Sequence, residues 1–296
     1  MRRLHWWVIL ALALVGVGCE RAPAPRTKQL VVASFYPLYE FARQVAGDRA
    51  EIVSLVPAGV EPHDWEPSPQ DVTRIGRAML FIYNGAGLEP WAESLVRAPG
   101  GAGPVVVSAT AGLALLPADG PGHDPHVWLD PVLAQAQVEA IRAGLAKADP
   151  GHAEQYASNA RAYRERLAAL HAEFERGLSR CARREIVVSH AAFAYLARRY
   201  GLTMVPMMGL APEAEPSPAH LASLVRFARR HKVEYIFFET LVSPKLAETL
   251  AREVGARTLV LNPIEGLTPE AAAAGKDYVA LMEQNLENLR TALACR

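Results

Sequence analysis

The sequence predicts an α/β protein with two lobes, each a parallel sheet with flanking helices, joined by one long rigid helix. Short β-rich runs alternate with helical patterns in both halves of the chain, which favours parallel sheets built from βαβ units. Several of these runs are continuously apolar, as is typical of parallel strands that are covered on both faces. One uninterrupted amphipathic segment lies between the two sets of strands, and it predicts the joining helix.

The predicted strands are dominated by Val, Ile, Leu and Phe. Those of the first half are Leu30–Ser34, Glu51–Val56, Met79–Tyr83 and Pro104–Val107, and those of the second half are Glu185–Ser189, Thr203–Val205, Tyr235–Phe238 and Thr258–Leu261. Helical patterns lie between the strands, for example at Ser217–His231 and Pro244–Val254.

The joining helix is predicted over Gly151–Arg180, a segment without proline and without an internal glycine before Gly177. Its apolar residues recur at steps of three and four, so they form one stripe along the helix. Roughly thirty residues at about 1.5 Å each give about 45 Å, which suits a strut along both lobes. Two shorter helices with a break are the alternative. The stripe consists of Tyr156, Ala160, Tyr163, Leu167, Leu170, Phe174 and Leu178.

Length and composition agree with this division. The chain has 296 residues, of which 51% are apolar and 21% are charged, and this is a globular composition. We expect a signal peptide at 1–18, a tether at 19–28, an N-terminal lobe at 29–148, a linking helix at 149–180 and a C-terminal lobe at 181–296. Lys and Arg total 31, as do Asp and Glu, so no excess of positive charge indicates a nucleic-acid partner.

The N-terminal residues predict export. Arg2 and Arg3 precede an apolar run of about a dozen residues, which is too short to span a bilayer but has the length of a signal-peptide core. Small residues then lead to Cys19, in a pattern that resembles the lipobox of bacterial lipoproteins. We therefore expect a protein in the periplasm or on the outer face of the cytoplasmic membrane, anchored by a lipid on Cys19. An ordinary cleaved signal with an incidental cysteine is the alternative.

Export also permits a disulfide, because the compartment is oxidising. With Cys19 lipidated, Cys181 and Cys295 remain. A bridge between them would close a long loop, which is worth about 3–5 kcal/mol in the chain-entropy picture. Two separate thiols are the alternative, because the sequence does not give the distance between their Cα atoms.

A first candidate metal ligand, His63, lies in a proline-rich loop directly after the predicted strand Glu51–Val56. Four nearby prolines fix φ and restrict the residues before them. A loop stiffened in this way holds a side chain in place at low ordering cost. His63 is the only histidine in the loop.

A second candidate ligand, His126, lies in the turn before a helix. Asp130 and Pro131 are typical of the N-cap and first position of that helix. Carboxylates therefore flank His126 at Asp124 and Asp130, and a metal-bound imidazole normally donates its other N–H to such an acceptor. His123 could be a further ligand, but we expect it to point to solvent.

A third candidate ligand, His190, follows Ser189 where a predicted strand ends and a helix begins. Open α/β sheets bind their ligands at this end of the strands. Ser189 as a nucleophile with His190 as its base is disfavoured, because adjacent residues rarely present both side chains to one atom and no nucleophile-elbow pattern is present.

Three imidazoles from separate strand ends indicate one metal ion in a cleft between the lobes. Imidazole suits zinc, which prefers four ligands in a tetrahedron. We expect the fourth ligand to be a carboxylate near another strand end of the second half, either Glu239 or Glu265. Each of these could instead accept a hydrogen bond from a ligand or lie on the surface.

Several motifs, in order along the chain, resemble those of the metal-binding subunits of ABC importers for zinc and manganese, the zinc-uptake or adhesin-type solute-binding family. The resemblance covers about residues 30–293. The motifs are Glu61-Pro62-His63, Glu66-Pro67-Ser68-Pro69, Asn84-Gly85-Ala86-Gly87-Leu88-Glu89-Pro90-Trp91, Asp124-Pro125-His126-Val127-Trp128-Leu129-Asp130-Pro131, Ser189-His190-Ala191-Ala192-Phe193, Leu261-Asn262-Pro263-Ile264-Glu265-Gly266-Leu267-Thr268, Asp277-Tyr278 and Asn285-Leu286.

The resemblance implies two lobes with a metal ion between them, which passes to a membrane permease powered by an ATPase. It implies that His63, His126 and His190 bind one Zn²⁺ ion. Manganese-type members usually have a carboxylate where His190 stands, and nitrogen ligands suit zinc better than manganese. We favour Glu265 as the fourth ligand, with Glu239 or water as alternatives.

The chain departs from the family pattern in two places. Asn262 stands where many relatives have an aspartate ligand. The segment Ala118–Asp124 is short and has His123 as its one histidine, whereas many zinc-type relatives have a long His-rich loop there. A role for this segment in gathering metal is therefore not expected.

The expected function is high-affinity capture of extracytoplasmic zinc by a monomer and its delivery to an ABC permease, without catalysis. Manganese or iron binding in the same transporter class is the alternative. A zinc hydrolase is less expected, because there is no His-Glu-x-x-His helix and a fourth protein ligand would close the position that a catalytic zinc leaves open. Nothing in the sequence supports a protein-binding adhesin surface.

Overall fold

The strands of the protein form two separate parallel sheets. The structure is a computed structural model that describes residues 28–96, 103–118, 120–212 and 216–296. The strands in these ranges are β1 Gln29–Ala33, β2 Ala50–Ser54, β3 Leu80–Tyr83, β4 Val105–Ser108, β5 Glu185–Val188, β6 Thr203–Pro206, β7 Tyr235–Phe238 and β8 Arg257–Val260. Their order is β2-β1-β3-β4 in the first sheet and β6-β5-β7-β8 in the second, and every pair is parallel.

Helices connect and cover the strands. The helices in the described residues are α1 Tyr36–Ala46, α2 Pro69–Arg77, α3 Pro90–Val96, α4 Pro131–Ala148, α5 Ala153–Leu178, α6 Ala194–Tyr200, α7 Pro218–Arg230, α8 Lys245–Val254, α9 Pro269–Ala273 and α10 Tyr278–Ala292. Short 3-10 turns occupy Val127–Leu129, Pro150–His152 and Ala191–Phe193. The predicted fold class is confirmed, and each strand ends within two residues of its predicted position.

Both faces of the first sheet are buried, as the continuous apolar runs predict. Alternate residues of a strand point to opposite faces. Val31 of β1 packs into the large core cluster, whereas the next residue, Val32, packs with Phe81 in a separate cluster. The second sheet repeats this arrangement, because Ile186 and Val187 of β5 also belong to different clusters.

Helix α5 is continuous and packs against both halves of the chain. It contacts α1 and α4 of the first half and α10 of the second, and at about 1.5 Å per residue its 26 residues extend about 39 Å. The alternative of two shorter helices is therefore wrong. Gly177 lies where α5 approaches α10 closely, since a Cβ atom there would be 3.0 Å from Leu286. All seven residues of the predicted stripe are buried.

The predicted signal peptide, Cys19 and the tether up to residue 27 lie outside the described residues. Within the described part of the chain, no helix combines the length and the apolar character needed to cross a bilayer.

A disulfide joins Cys181, just after α5, to Cys295 near the C-terminus, with a sequence separation of 114. The two cysteines face each other in an isolated antiparallel bridge. The N–H of Arg296 donates to the carbonyl of Arg180 at 2.9 Å. The sequence leaves open a disulfide or two separate thiols, and the structure contains the disulfide.

Removing this bridge should lower the free energy of unfolding by about 3–5 kcal/mol, because a long loop regains its freedom in the unfolded chain. The measurement is denaturant unfolding of the wild type and of the Cys181→Ser/Cys295→Ser variant, followed by circular dichroism. Reduced wild type is the matched control and should unfold with the double variant. Equal midpoints for oxidised and reduced wild type would contradict the expectation.

Candidate metal centre

Four side chains from four different chain segments meet between the two sheets. His63 follows β2, His126 opens the 3-10 turn before α4, His190 comes two residues after β5, and Glu265 comes five residues after β8. Since the strands of each sheet are parallel, their carboxyl ends lie at one edge of that sheet. The topology therefore places these loops at the same cleft.

The donor atoms of these four residues all lie within 4.8 Å of one another. The Nε2 atom of His126 lies 3.3 Å from Nε2 of His63 and 3.4 Å from Nε2 of His190. The Glu265 Oε1 atom lies 3.3, 3.1 and 3.3 Å from the Nε2 atoms of His63, His126 and His190. Bonds of about 2.0 Å in a tetrahedron give donor–donor distances of about 3.3 Å. Five of the six donor–donor distances therefore fit a tetrahedral ion.

His126 is held from behind by Asp124. Its Nδ1 donates to Oδ1 of Asp124 at 2.7 Å, and its backbone N–H donates to the same oxygen at 2.9 Å. The ring is fully buried. Asp130, the other flanking carboxylate, instead caps α4 and pairs with Arg199 at 2.8 Å.

His190 is held in the same way by Glu239. Its Nδ1 donates to Oε1 of Glu239 at 2.7 Å, and its backbone N–H donates to that atom at 3.2 Å. Glu239 is therefore the acceptor behind a histidine, one of the three roles that the sequence leaves open, and it does not belong to the group of four. The Ser189 hydroxyl donates to the carbonyl of Phe237 at 3.4 Å, so it makes no pair with His190.

His63 is the most exposed member of the group. Its side chain is 9% exposed, against 0–2% for the other three. Its backbone N–H donates to Oε2 of Glu61 at 2.9 Å. His123, in contrast, is exposed and lies outside the group, as expected.

The turn before Glu265 has an unusual backbone. Ile264 has φ of 59°, a region that a β-branched residue rarely enters and that costs about 1–3 kcal/mol. The Asn262 side chain accepts the N–H of Ile264 at 2.8 Å. Asn285 of α10 pairs with the backbone N–H and carbonyl of Asn262 at 2.8 and 2.7 Å. Asn262 thus supports the turn and is not one of the four donors.

Sequence reasoning assigned no role to the motif around Asn84 and Glu89. The buried carboxylate of Glu89 accepts the N–H groups of Asn84 and Gly85 at 2.8 and 3.0 Å. The Asn84 side chain donates to the carbonyl of Pro125 at 2.9 Å, directly before His126. Gly85 has φ of 82°, and a Cβ atom there would lie 2.6 Å from the Ser108 hydroxyl. The motif therefore supports the backbone of the turn that contains His126. Its signal in the sequence is the pair Gly85 and Gly87, since glycine readily adopts the positive φ values that these two positions have.

Helix α6 fastens the second half to the His126 turn. The Tyr195 hydroxyl donates to the carbonyl of Asp124 and accepts the N–H of Leu116, both at 2.8 Å. Arg199 of the same helix pairs with Asp130. The sequence contains no periodic or motif signal for these contacts, because they depend on how the two sheets are placed.

The group of four is electrostatically coupled. Burial opposes the charged form of His126, but hydrogen bonds to Asp124 and Glu265 outweigh it and raise the pKa of His126. Burial is likewise outweighed at His190, where the charges of Glu265 and Glu239 hold the pKa well above its ordinary value. Burial would raise the pKa of Glu265, but the charge of His190 and hydrogen bonds from the histidines hold it well below its ordinary value. Without metal, His126 and His190 therefore retain their protons to a higher pH than a free imidazole does.

Among the described residues, this is the only group of three or more His, Cys, Asp or Glu side chains placed to hold one metal ion. Residues 31–292 match the family model described as "Zinc-uptake complex component A periplasmic".

The chain belongs to this family.

Relatives agree with this assignment over most of the chain. The chain is 39% identical to the "High-affinity zinc uptake system protein ZnuA" of Bacillus subtilis, over 97% of this chain and 96% of that protein. It is 40% identical to the "Zinc-binding lipoprotein AdcA" of Streptococcus pneumoniae over 98% of this chain, but spans only 61% of the length of that relative.

A solved structure shares the fold. The Zn(II)-bound ZnuA-like domain of Streptococcus pneumoniae AdcA superimposes with a TM-score of 0.81 at 43% identity, covering 90% of this chain and 99% of that one. This member of the family therefore has the same two-lobe architecture.

Raising the pH should destabilise the metal-free protein. A histidine whose pKa is raised on folding contributes stability below its unfolded pKa of about 6.5, and this contribution is lost as the pH rises through the folded value. The lowered pKa of Glu265 contributes above its unfolded value of 4.5 and is lost as the pH falls through the folded value. The group's contribution is therefore complete between about pH 4.5 and 6.5.

The measurement is calorimetric melting in the presence of a chelator at pH 5.5, 6.5 and 8. His190→Asn is the control, because it keeps a donor for Glu239 but does not titrate. The melting temperature of the wild type should fall more steeply above pH 6.5 than that of the variant. Parallel pH profiles would contradict the coupling.

Proposed function

We propose that this protein captures extracytoplasmic zinc with high affinity and delivers it to an ABC permease for uptake. The observation that supports this most directly is the spacing of the donor atoms of His63, His126, His190 and Glu265. Five of their six separations, 3.1–3.4 Å, are close to those of a tetrahedron around one ion. Membership of a zinc-uptake family supports the same proposal. The zinc ion is the cargo of the protein.

The donor set favours zinc over manganese. Three neutral nitrogens and one carboxylate oxygen suit zinc, whereas manganese prefers oxygen donors and higher coordination numbers. The carboxylates of Asp124 and Glu239 are already bonded to the rear nitrogens of two histidines. They are therefore turned away from the ion, and the site stays poor in oxygen.

The donor set also supports binding without catalysis. Four protein donors fill a tetrahedral shell, whereas a catalytic zinc keeps one position open for water or substrate. A zinc hydrolase would need such a position and a general base beside it.

We further propose that the protein works as a monomer with a permease and its ATPase. Its location would be the periplasm or the outer face of the cytoplasmic membrane, with residues 1–18 removed and a lipid on Cys19. The relative from Streptococcus pneumoniae that is named a lipoprotein supports the anchor. The lobes would divide at 29–148 and 181–296, with the linking helix at 149–180.

His63→Ala should weaken zinc binding by orders of magnitude and leave the fold intact, because it removes one of four donors at the edge of the cleft. The measurement is calorimetric titration of zinc against a competing chelator at pH 7.5. His123→Ala is the matched control, since it removes an exposed imidazole from a nearby turn, and it should bind as the wild type does. Equal affinity of both variants would exclude His63 as a ligand.

Cys19→Ser should release the protein from the membrane, because the variant lacks the thiol that would be acylated. The measurement is fractionation of cells that express the full chain, together with metabolic labelling by a palmitate analogue. Cys295→Ser is the control and should stay labelled. Label on the Cys19→Ser variant would refute the anchor and leave zinc binding untouched.

A further inference from the structure

The turn of residues 262–265 is pinned at three successive backbone positions by three side chains. Asn285 bonds Asn262, and Asn262 bonds Ile264. Between them, the indole N–H of Trp128 donates to the carbonyl of Pro263 at 2.7 Å. Glu265 follows directly after this pinned segment.

Of these three partners, Trp128 alone comes from the first half of the chain. It lies two residues after His126, and the two rings are 5.2 Å apart between centroids. Its side chain is fully buried, and its ring packs edge-on against Phe35 at 4.8 Å. The Tyr278 hydroxyl donates to its backbone carbonyl. The indole therefore cannot move without moving the segment that contains His126.

The hydrogen bond from Trp128 to Pro263 matters because the next residue, Ile264, has an unfavourable backbone conformation. A β-branched residue at positive φ is held there only when its surroundings over-determine the conformation. If the Pro263 carbonyl loses its donor, a buried acceptor stays unpaired. The present conformation of the turn is then less stable, and the turn should change its conformation. The first side chain to shift is that of Glu265, which is the next residue.

We infer that Trp128 is a positioning residue for zinc capture: its indole N–H bonds the turn of residues 262–265 and thereby sets where the Glu265 carboxylate lies relative to the His126 imidazole. The inference rests on the proposed function, because it concerns the same four donors. It adds that the oxygen donor, supplied by the second half, is placed by a residue of the first half.

Trp128→Phe tests this, because it keeps an aromatic ring against Phe35 and removes the N–H donor. The zinc affinity of the variant should fall about 10–100-fold, as is usual when the group behind a metal ligand is lost. The visible bands of its cobalt(II) complex should shift, because a water in place of a displaced carboxylate keeps the ion four-coordinate but changes its ligand field. Tyr156→Phe, which also keeps a buried ring and removes its hydrogen bond, here to Asp149, should alter neither quantity.

A double-mutant cycle separates positioning from general packing. In the Glu265→Ala background, Trp128→Phe should change zinc affinity less than about twofold, since Trp128 acts through the missing carboxylate. The same loss in both backgrounds would mean that the indole acts on packing alone and would overturn the inference. An unchanged affinity and cobalt spectrum in the single variant would overturn it too.

Misfolding of Trp128→Phe and loss of zinc binding by the wild type are distinguished by separate measurements. If Trp128→Phe does not fold, as judged by melting without metal, replacing Trp128 with 3-benzothienylalanine removes the N–H while keeping the shape of the indole, and the same comparisons apply. Failure of the wild type itself to bind zinc would sink the proposed function, whereas the inference is decided by the variants relative to the wild type.

Discussion

The hydrogen bonds that the Nδ1 atoms of His126 and His190 donate to Asp124 and Glu239 are the constraint on which the rest of the centre depends. An imidazole buried without a partner would turn to find one, and the site would be lost. With a carboxylate behind each ring, His126 and His190 present one nitrogen each to the cleft. The same two carboxylates, together with Glu265, hold the pKa values of both histidines above their ordinary range. Binding of a divalent ion therefore has to displace protons.

The strands of both sheets have their carboxyl ends at the cleft. Each sheet has two central strands, β1 and β3 in the first and β5 and β7 in the second, and the histidine loops follow β2, β4 and β5. Helix α5 fixes the two sheets at one side of the molecule, and α6 fastens the His126 turn through Tyr195. These contacts bring the four donor atoms to within 4.8 Å of one another.

The sequence predicts much of this arrangement. The period of three and four residues places α5, and the apolar runs place the strands, because both patterns are local consequences of burial. His63, His126 and His190 stand out because they follow strands in stiff or capped turns. The sequence favours Glu265 over Glu239 only through the family resemblance, because both residues follow strands of the second half. Their different contacts, Glu239 behind the His190 ring and Glu265 among the four donors, depend on the fold. The contacts of Trp128 and Tyr195 are likewise invisible in it, because each joins residues more than 70 positions apart.

The carboxylates behind the rings also decide the tautomer of the neutral imidazoles. Because Asp124 and Glu239 are acceptors, the remaining hydrogen of each neutral ring stays on Nδ1 and the Nε2 lone pair faces the cleft. Neither ring has to exchange one tautomer for the other before it can coordinate. In the proposed function, the departing proton and the arriving ion would use the same atom, so the final step of capture would be a direct replacement on rings that are already oriented.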